Sequence, residues 1–501
     1  MKETSHAQCY KHTDSVKMTF VIHWFLLCVV IPILAIAGNT TTHLDVVLLF
    51  PAAVIIYCGS RLAGIAAKGV DRIVEMTFWL YAYIFMGICA FLQIEAGRFP
   101  WPGHYSDSLI IISELIMLAS FAAFDFGRQR RIKSNHDAPW VPSRWLEVSR
   151  NRLYLVSFFG MAIAAYATLK LGAFSTLFLN RTENFAIISS EYNIAQLSIY
   201  TSLAKTIVYV LLVTALAYRI KVKNRPAIIL LIIALLIFTA IENNPISTPR
   251  FQVGTILISI FFIFPWRKYK ASFAIYGLVL GMIVIFPYAS LYRNSNNPSL
   301  VARIEQFRSA NPLVTSGDYD SFQQVMNGVR MVHDDGVTYG HQIFSALLFW
   351  VPRKLWPGKA QPTGVLIAER SGYGFTNLSA PLWIEFYVDG GWLLVLLGFF
   401  FYGRFVRTLD LARRNGDDRL RPMYLLATIY AGYQIFLLRG SLMPAIAYLS
   451  PVLPVILACS KFRKESIREN SEGPPRSNHS IIFVNARPDA DSAVNSQRAD
   501  Q

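Results

Sequence analysis

Twelve apolar runs constrain this chain of 501 residues more than any other feature. A bilayer core about 30 Å thick needs about 20 apolar residues in a helix, and only the second, seventh and eighth runs are short. The runs therefore predict an all-α polytopic membrane protein with about 12 transmembrane helices. They lie at 18–38, 44–59, 73–95, 107–126, 152–171, 197–219, 226–242, 250–265, 271–290, 382–406, 422–438 and 441–459.

The composition is typical of a chain whose main solvent is lipid. Charged residues make up 16 % of the sequence, against about 25 % in a soluble domain, and the mean hydropathy is +0.39. A net charge of +16 would suggest a nucleic-acid partner in a soluble protein. Here most basic residues lie between the apolar runs, so we expect a lipid bilayer and no nucleic acid.

The basic residues alternate from one loop to the next. Counting both tails, one side holds 33 of the 47 lysines and arginines, and the short loops on the other side hold five. Short cytoplasmic loops are rich in Lys and Arg. The asymmetry therefore predicts that both termini are cytoplasmic and that the number of spans is even.

One long extracytoplasmic loop breaks the pattern of short connections. Within it, Ile343 to Val351 is apolar but too short to span the bilayer, and Pro352 follows, which predicts an interfacial or re-entrant helix. The predicted organisation is a cytoplasmic tail at 1–17, transmembrane helices 1–9 at 18–290, the long loop at 291–381, transmembrane helices 10–12 at 382–460, and a disordered cytoplasmic tail at 461–501.

The sequence disfavours several classes of protein. Its five cysteines form no CxxC pair, so neither a disulfide scaffold nor a zinc site is predicted. There is no Walker-type phosphate loop and no internal repeat, which disfavours an ATP-driven pump. Acidic residues are not clustered as metal ligands would be, so we expect no metal and no other cofactor.

Four arginines lie on the predicted outer side, where positive charge is scarce: Arg250, Arg293, Arg353 and Arg439. A guanidinium group matches phosphate oxygens bidentately and stays charged at any relevant pH. We therefore predict that these arginines bind a lipid-linked phosphate. Snorkelling of each arginine toward lipid head groups is the alternative.

Acidic residues and one histidine on the same side are candidates for acid–base catalysis: Glu242, Asp320, His341 and Glu385. Asp389 shares a helix face with Glu385 because the two are four residues apart. A structural ion pair or helix cap is the alternative for each. Two further charges, Glu114 and Lys205, lie within predicted spans, and we expect a mutual ion pair, with a role in a substrate cavity as the alternative.

The order of these elements resembles the bacterial oligosaccharide repeat-unit polymerases, the Wzy-type polymerases of O-antigen and exopolysaccharide. The resemblance covers about residues 150–460, and Pro-Arg-x-x-Trp-Pro-x-Lys is its most specific part. The matching segments are Glu242-Asn-Asn-Pro, Arg250-Phe251, Asp318-Tyr-Asp320-Ser-Phe322, Tyr339-Gly340-His341-Gln342, Val351-Pro-Arg353-Lys-Leu-Trp356-Pro-Gly-Lys359, Thr376-Asn377-Leu-Ser379-Ala-Pro381, Glu385-Phe386 and Leu438-Arg439-Gly440-Ser441.

The resemblance implies a metal-independent glycosyltransferase of the GT-C type in the bacterial inner membrane. Such enzymes join repeat units carried on undecaprenyl pyrophosphate at the periplasmic face, and a flippase and a chain-length regulator are the protein partners that this implies. The long loop is then periplasmic, with Trp356, Tyr373 and Phe375 as candidates to stack on sugar rings.

Two other functions compete with the polymerase. An O-antigen ligase also handles lipid-pyrophosphate glycans, but it transfers them to lipid A. A lipid-linked glycan flippase or other transporter would suit twelve spans, although the long outer loop and the lack of repeated halves argue against it.

Overall fold

The computed structural model describes residues 15–37, 45–129, 146–170, 194–222, 226–244, 248, 250–267, 269–287, 311–376, 378–414 and 419–462. Arg293 and the two predicted tails lie outside these residues, apart from 15–17 and 461–462. The described chain is almost entirely helical and contains several long apolar helices, which confirms the prediction of an all-α, multi-pass membrane protein.

Each predicted apolar run coincides with a helix, and the last run is divided into two. In chain order the helices before the long loop are α1 (Ser15–Ile36), α2 (Val46–Lys68), α3 (Ile73–Glu95), α4 (Asp107–Gln129), α5 (Arg150–Lys170), α6 (Ile194–Lys221), α7 (Pro226–Glu242), α8 (Arg250–Ile263) and α9 (Lys270–Ile285). Three more follow in the loop, α10 (Ser321–Asp335), α11 (His341–Leu347) and α12 (Thr363–Arg370), and then come α13 (Leu382–Arg413), α14 (Pro422–Arg439), α15 (Leu442–Leu449) and α16 (Val452–Ala458).

Within the described residues, seven helices are long and apolar enough to cross a membrane, namely α1 to α6 and α13. Helices α7, α8 and α9 and the pair α15–α16 are apolar but shorter. Twelve spans and the GT-C fold therefore stay predictions. Two short strands, β1 (Leu146–Val148) and β2 (Ser460–Phe462), pair in antiparallel fashion.

The core lies around α3, α4 and α13. The ring of Phe78 stacks on Phe124, with ring centroids 4.0 Å apart. Glycines let α4 and α13 cross closely, because a Cβ atom at Gly127 would collide with the backbone oxygen of Phe400. Small residues at such crossings let helix backbones approach, which is how helices pack in lipid.

Helix α13 is broken at Gly390 and Gly391, which both have non-helical backbone angles. Gly391 has φ 57° and ψ −148°, a conformation that is essentially restricted to glycine. The break separates a short first segment, which carries Glu385 and Asp389, from the long apolar remainder. Both carboxylates are buried.

The described part of the long loop, 311–376 and 378–381, is more buried than the sequence predicts. Helix α10, which the sequence did not predict, is buried from Ser321 to Val329, and it packs so closely on α13 that a Cβ at Gly328 would collide with Ile384. Short helices in the loop were predicted, but α11 ends at Leu347 rather than at Pro352. The loop therefore forms part of the protein core.

Candidate functional site

Two of the predicted arginines converge on one turn of the long loop. At the end of α14, Arg439 donates hydrogen bonds to the backbone oxygens of Gly317 at 2.8 Å and Asp318 at 3.2 Å. Its guanidinium group also lies 3.4 Å from the Asp320 carboxylate. At the start of α8, Arg250 Nη1 lies 3.8 Å from Asp318 Oδ2. We call these two arginines and two aspartates the guanidinium–aspartate cluster.

The turn that carries the aspartates is held by one hydrogen bond within the turn and by one to the carbonyl of Met282 in α9. Ser316 Oγ accepts a hydrogen bond from the Asp318 amide at 3.3 Å, which starts a short 3₁₀ turn at Gly317–Tyr319. The Tyr319 hydroxyl donates to the Met282 carbonyl at 2.5 Å. Burial raises the pKa of Tyr319, so its phenol stays a neutral donor that anchors the turn.

Both arginines lie over aromatic rings and keep part of their surface exposed. The Arg439 guanidinium is 4.8 Å from the Phe251 ring centroid, and that of Arg250 is 5.2 Å from the Phe286 centroid. The exposed fractions of the side chains are 20 % for Arg439, 19 % for Arg250 and 32 % for Asp318. Part of each guanidinium side chain is therefore open to an anion, and the ion pair between Arg250 and Asp318 is a long one.

Asp320 is the buried centre of the cluster. Its carboxylate accepts hydrogen bonds from the Ser379 hydroxyl and from the Trp101 indole, the latter at 2.8 Å. With Arg439 as the third partner, Asp320 is held by groups from three separate segments. The carboxylate thereby fixes the position of the Arg439 guanidinium group.

Glu385, a predicted catalytic residue, lies in a different environment. Its two oxygens accept from the Thr363 hydroxyl at 2.7 Å and from the Leu442 amide at 2.8 Å. Leu442 and Thr363 are the first residues of α15 and α12, so the carboxylate caps one helix and ties it to the other.

Asp389 plays the same part for α11. Its carboxylate accepts from the amides of Gln342 at 2.9 Å and Ile343 at 2.6 Å, and from the Thr338 hydroxyl. The first segment of α13 thus uses both of its carboxylates to hold the starts of short loop helices. The catalytic role predicted for Glu385 stays a prediction.

The charged side chains of the Pro-Arg-x-x-Trp-Pro-x-Lys segment donate hydrogen bonds to backbone oxygens of the same loop. Arg353 donates to the backbone oxygens of Lys359 and Ala360, the latter at 2.8 Å. Lys359 Nζ donates to the Phe349 and Val351 carbonyls at 2.6 and 3.0 Å. Burial, and then the nearby Arg353, lower the pKa of Lys359. The partners of Arg353 therefore lie within its own loop, and the structure does not bring it to the guanidinium–aspartate cluster.

His341 and Trp356 lie beside this loop. The His341 side chain is exposed, and its ring centroid is 6.0 Å from that of Trp356 in an edge-on arrangement. Neither residue contacts Asp320 or Arg439 in the described structure. Their predicted roles in catalysis and glycan contact stay predictions.

Three more of the charged residues singled out in the sequence lie in apolar helices: Glu114 in α4, Lys205 in α6 and Glu242 at the end of α7. The Glu242 carboxylate accepts from the Thr168 hydroxyl. The expected ion pair between Glu114 and Lys205 is wrong, because Lys205 Nζ donates to Thr248 Oγ1 at 3.2 Å, whereas both Glu114 oxygens are buried without a hydrogen-bond partner in the described structure.

Sequence reasoning missed the tryptophan that joins two of the predicted glycan contacts to the cluster. Trp101 stacks on Phe375 with centroids 5.5 Å apart and lies 6.2 Å from the Tyr373 ring. We call these three rings the aromatic platform. Trp101 lies in the short connection between α3 and α4, and its partner Asp320 is 219 positions away, so no local pattern signals the contact.

The guanidinium–aspartate cluster combines anion-binding groups with an accessible carboxylate. Positively charged donors at fixed positions stabilise a leaving group that gains negative charge. Across the part of the chain that the structure describes, no three His, Cys, Asp or Glu side chains come together as possible ligands of a metal ion.

This chain was compared with family models, curated proteins and solved structures. No family model matches this chain, and neither a curated protein nor a solved structure is significantly similar to it.

Proposed function

We propose that this protein is a glycosyltransferase that polymerises oligosaccharide repeat units carried on undecaprenyl pyrophosphate. The observation that supports it is the convergence of Arg250 and Arg439, from two different helices, on one partly exposed turn. Both arginines lie on the side of the membrane where the sequence predicts few positive charges. The reaction takes place at the periplasmic face of the bacterial inner membrane and produces O-antigen or exopolysaccharide.

Glycosyl transfer from a pyrophosphate needs cationic groups for the leaving group and a base for the acceptor hydroxyl, and the cluster contains both kinds of group. A hydroxyl of the incoming unit attacks the anomeric carbon of the growing chain, and the bond from that carbon to the pyrophosphate oxygen breaks. The oxygen leaves with the electron pair, and the guanidinium groups of Arg439 and Arg250 stabilise its charge. The hydroxyl proton passes to a carboxylate, and the new glycosidic bond forms.

Asp318 is the carboxylate best suited to accept that proton. Its side chain is 32 % exposed, whereas that of Asp320 is 1 % exposed and has three partners. We therefore assign Asp320 to hold Arg439 and Asp318 to act as the base. Loss of the Asp318 contact when Arg250 binds pyrophosphate frees its carboxylate for this role.

The test uses a strain that lacks this gene and carries plasmid-borne variants. Arg439→Ala and Arg250→Ala should shorten the polysaccharide ladder on a gel without lowering the amount of protein in the membrane. Arg370→Ala is the matched control, because Arg370 is an exposed arginine of the long loop that lies outside the cluster and pairs with Asp335. A normal ladder from both cluster variants would rule out the phosphate-binding role.

The same strain separates a polymerase from a ligase. Without a polymerase, single repeat units still reach their acceptor, whereas without a ligase none do. The proposal requires single units in the deletion strain.

A further inference from the structure

The aromatic platform is held rigidly beside the guanidinium–aspartate cluster. The Trp101 backbone amide donates to Gln323 Oε1 at 2.9 Å, and Gln323 Nε2 donates back to the Trp101 carbonyl at 2.7 Å. The Tyr373 hydroxyl donates to the Pro102 carbonyl at 2.8 Å and accepts from Asn327 at 3.2 Å. Two loops distant in the sequence thus present their rings together over α10.

One face of the platform, the outer face of the Phe375 ring, is exposed apolar surface. Phe375 is 47 % exposed, although its ring stacks on Trp101 at an interplanar angle of 27°. The polar atoms of the other two rings already bond to protein groups, so the platform offers ring surface rather than hydrogen-bonding groups. Aromatic side chains with few rotatable bonds supply such surface at low entropic cost.

Its connection to the cluster indicates what binds there. The Trp101 indole that supports Phe375 donates to the same Asp320 carboxylate that receives Arg439. Trp101 and Asp320 therefore join the platform directly to the proposed pyrophosphate site. A polyprenyl tail would gain little beside a carboxylate and a guanidinium group, whereas a pyranose ring has an apolar C–H face for the rings and hydroxyls for water and polar neighbours.

We infer that the aromatic platform of Trp101, Tyr373 and Phe375 is a sugar subsite that binds a pyranose ring of the glycan, next to the phosphate linkage. The identity of the ligand as a glycan rests on the proposed function. Phe375 supplies the contact surface, and Trp101 is a positioning residue that aligns Phe375 with Asp320.

The binding test uses the oligosaccharide that mild acid releases from the lipid-linked unit accumulated by the deletion strain. Its affinity for purified protein in nanodiscs is measured by calorimetry. In the wild type, a bound sugar would cover the exposed half of the Phe375 ring. Phe375→Ala removes that apolar contact, so we expect Kd to rise about three- to tenfold. Phe375→Trp should restore binding. Trp350→Ala, which removes another exposed aromatic residue of the same loop, should bind like the wild type.

The outcomes separate this inference from the proposed function. Unchanged affinity in Phe375→Ala, or an equal loss in Trp350→Ala, would overturn the sugar subsite, and a shortened ladder in Arg439→Ala would still support the polymerase. Weaker binding in Phe375→Ala alone, with normal ladders in both arginine variants, would support the subsite and overturn the pyrophosphate clamp.

Discussion

Two arginines of this protein, Arg439 and Arg413, are held in opposite ways. Arg413, in the last turn of α13, has a fully buried side chain, and its guanidinium group binds Asp71 through two contacts of 3.1 Å. It also donates to the Thr428 hydroxyl and to the Phe262 carbonyl, the latter at 3.1 Å. Arg439 has a single, longer contact with a carboxylate, 3.4 Å to Asp320, and remains partly exposed.

The difference separates an arginine that holds helices together from one that can bind a ligand. Every direction around Arg413 is occupied, and its guanidinium group also lies 4.4 Å from the Tyr424 ring centroid. A bound anion would have to break a buried, bidentate ion pair there, which is costly. At Arg439, an anion adds to an exposed edge. Charge alone does not distinguish the two residues.

The largest expected effect is at the buried arginine. Arg413→Ala leaves Asp71 without its partner and should cost about 3–5 kcal/mol of folding free energy. We expect little protein in the membrane fraction on an immunoblot. Arg414→Ala, the exposed neighbour, is the control and should accumulate normally. Normal amounts of Arg413→Ala would show that the buried pair does not stabilise the fold.

The next largest effect is on catalysis at Arg439. Removing one charged donor to a developing oxyanion costs about 10²–10³-fold in rate, so Arg439→Ala should lose that much polymerisation per molecule of protein. Arg439→Lys should recover only part of it, because an ammonium group lacks the planar fork of donors. Full activity in Arg439→Lys would contradict bidentate phosphate binding.

A smaller loss is expected at Arg250. Its contact with Asp318 is 3.8 Å long, whereas Arg439 donates to the Gly317 oxygen at 2.8 Å and lies 3.4 Å from the Asp320 carboxylate. Arg250→Ala should reduce polymerisation by about tenfold, equivalent to about 1.4 kcal/mol. The rate is measured with purified protein and lipid-linked repeat units. A loss as large as that of Arg439→Ala would mean that both arginines contribute equally.

The smallest effect concerns stability at the outer cluster. Asp318→Asn should change the free energy of unfolding by no more than about 0.5 kcal/mol, since the side chain is partly exposed and its ion pair is long. Asp71→Asn is the matched change at the buried pair and should lower the melting temperature in detergent clearly. Equal shifts from the two variants would remove the distinction between the two regions.

The sequence predicted the helices well because apolar runs bounded by charged or turn residues leave few alternatives in lipid. Helices α3 and α7 begin and end at the predicted residues. The burial of α10 was not predictable in this way. Its sequence is polar, but Gln323 and Asn327 satisfy their amides with Trp101 and Tyr105, which lie more than 200 positions earlier.

The candidate site was predicted in part. Arg250 and Arg439, which were conspicuous because the predicted outer side has few positive charges, do lie at one turn, where they pair with Asp318 and Asp320. Arg353 carries the same charge and the most specific motif, yet its partners are backbone oxygens of its own loop. Glu385 and Asp389 were predicted to share a helix face, with a helix cap as the alternative role for each. Which helices they cap was not predictable, because the amide groups that they bind lie far away in the sequence.

The central claim is that the Arg439 cluster stabilises a departing lipid pyrophosphate. The most direct measurement is the release of undecaprenyl pyrophosphate, with growth of the glycan, by purified protein in nanodiscs supplied with lipid-linked repeat units. We predict release by the wild type and by Arg370→Ala, and about 10²–10³-fold slower release by Arg439→Ala. Equal release by Arg439→Ala and the wild type, or none by the wild type, would contradict the claim.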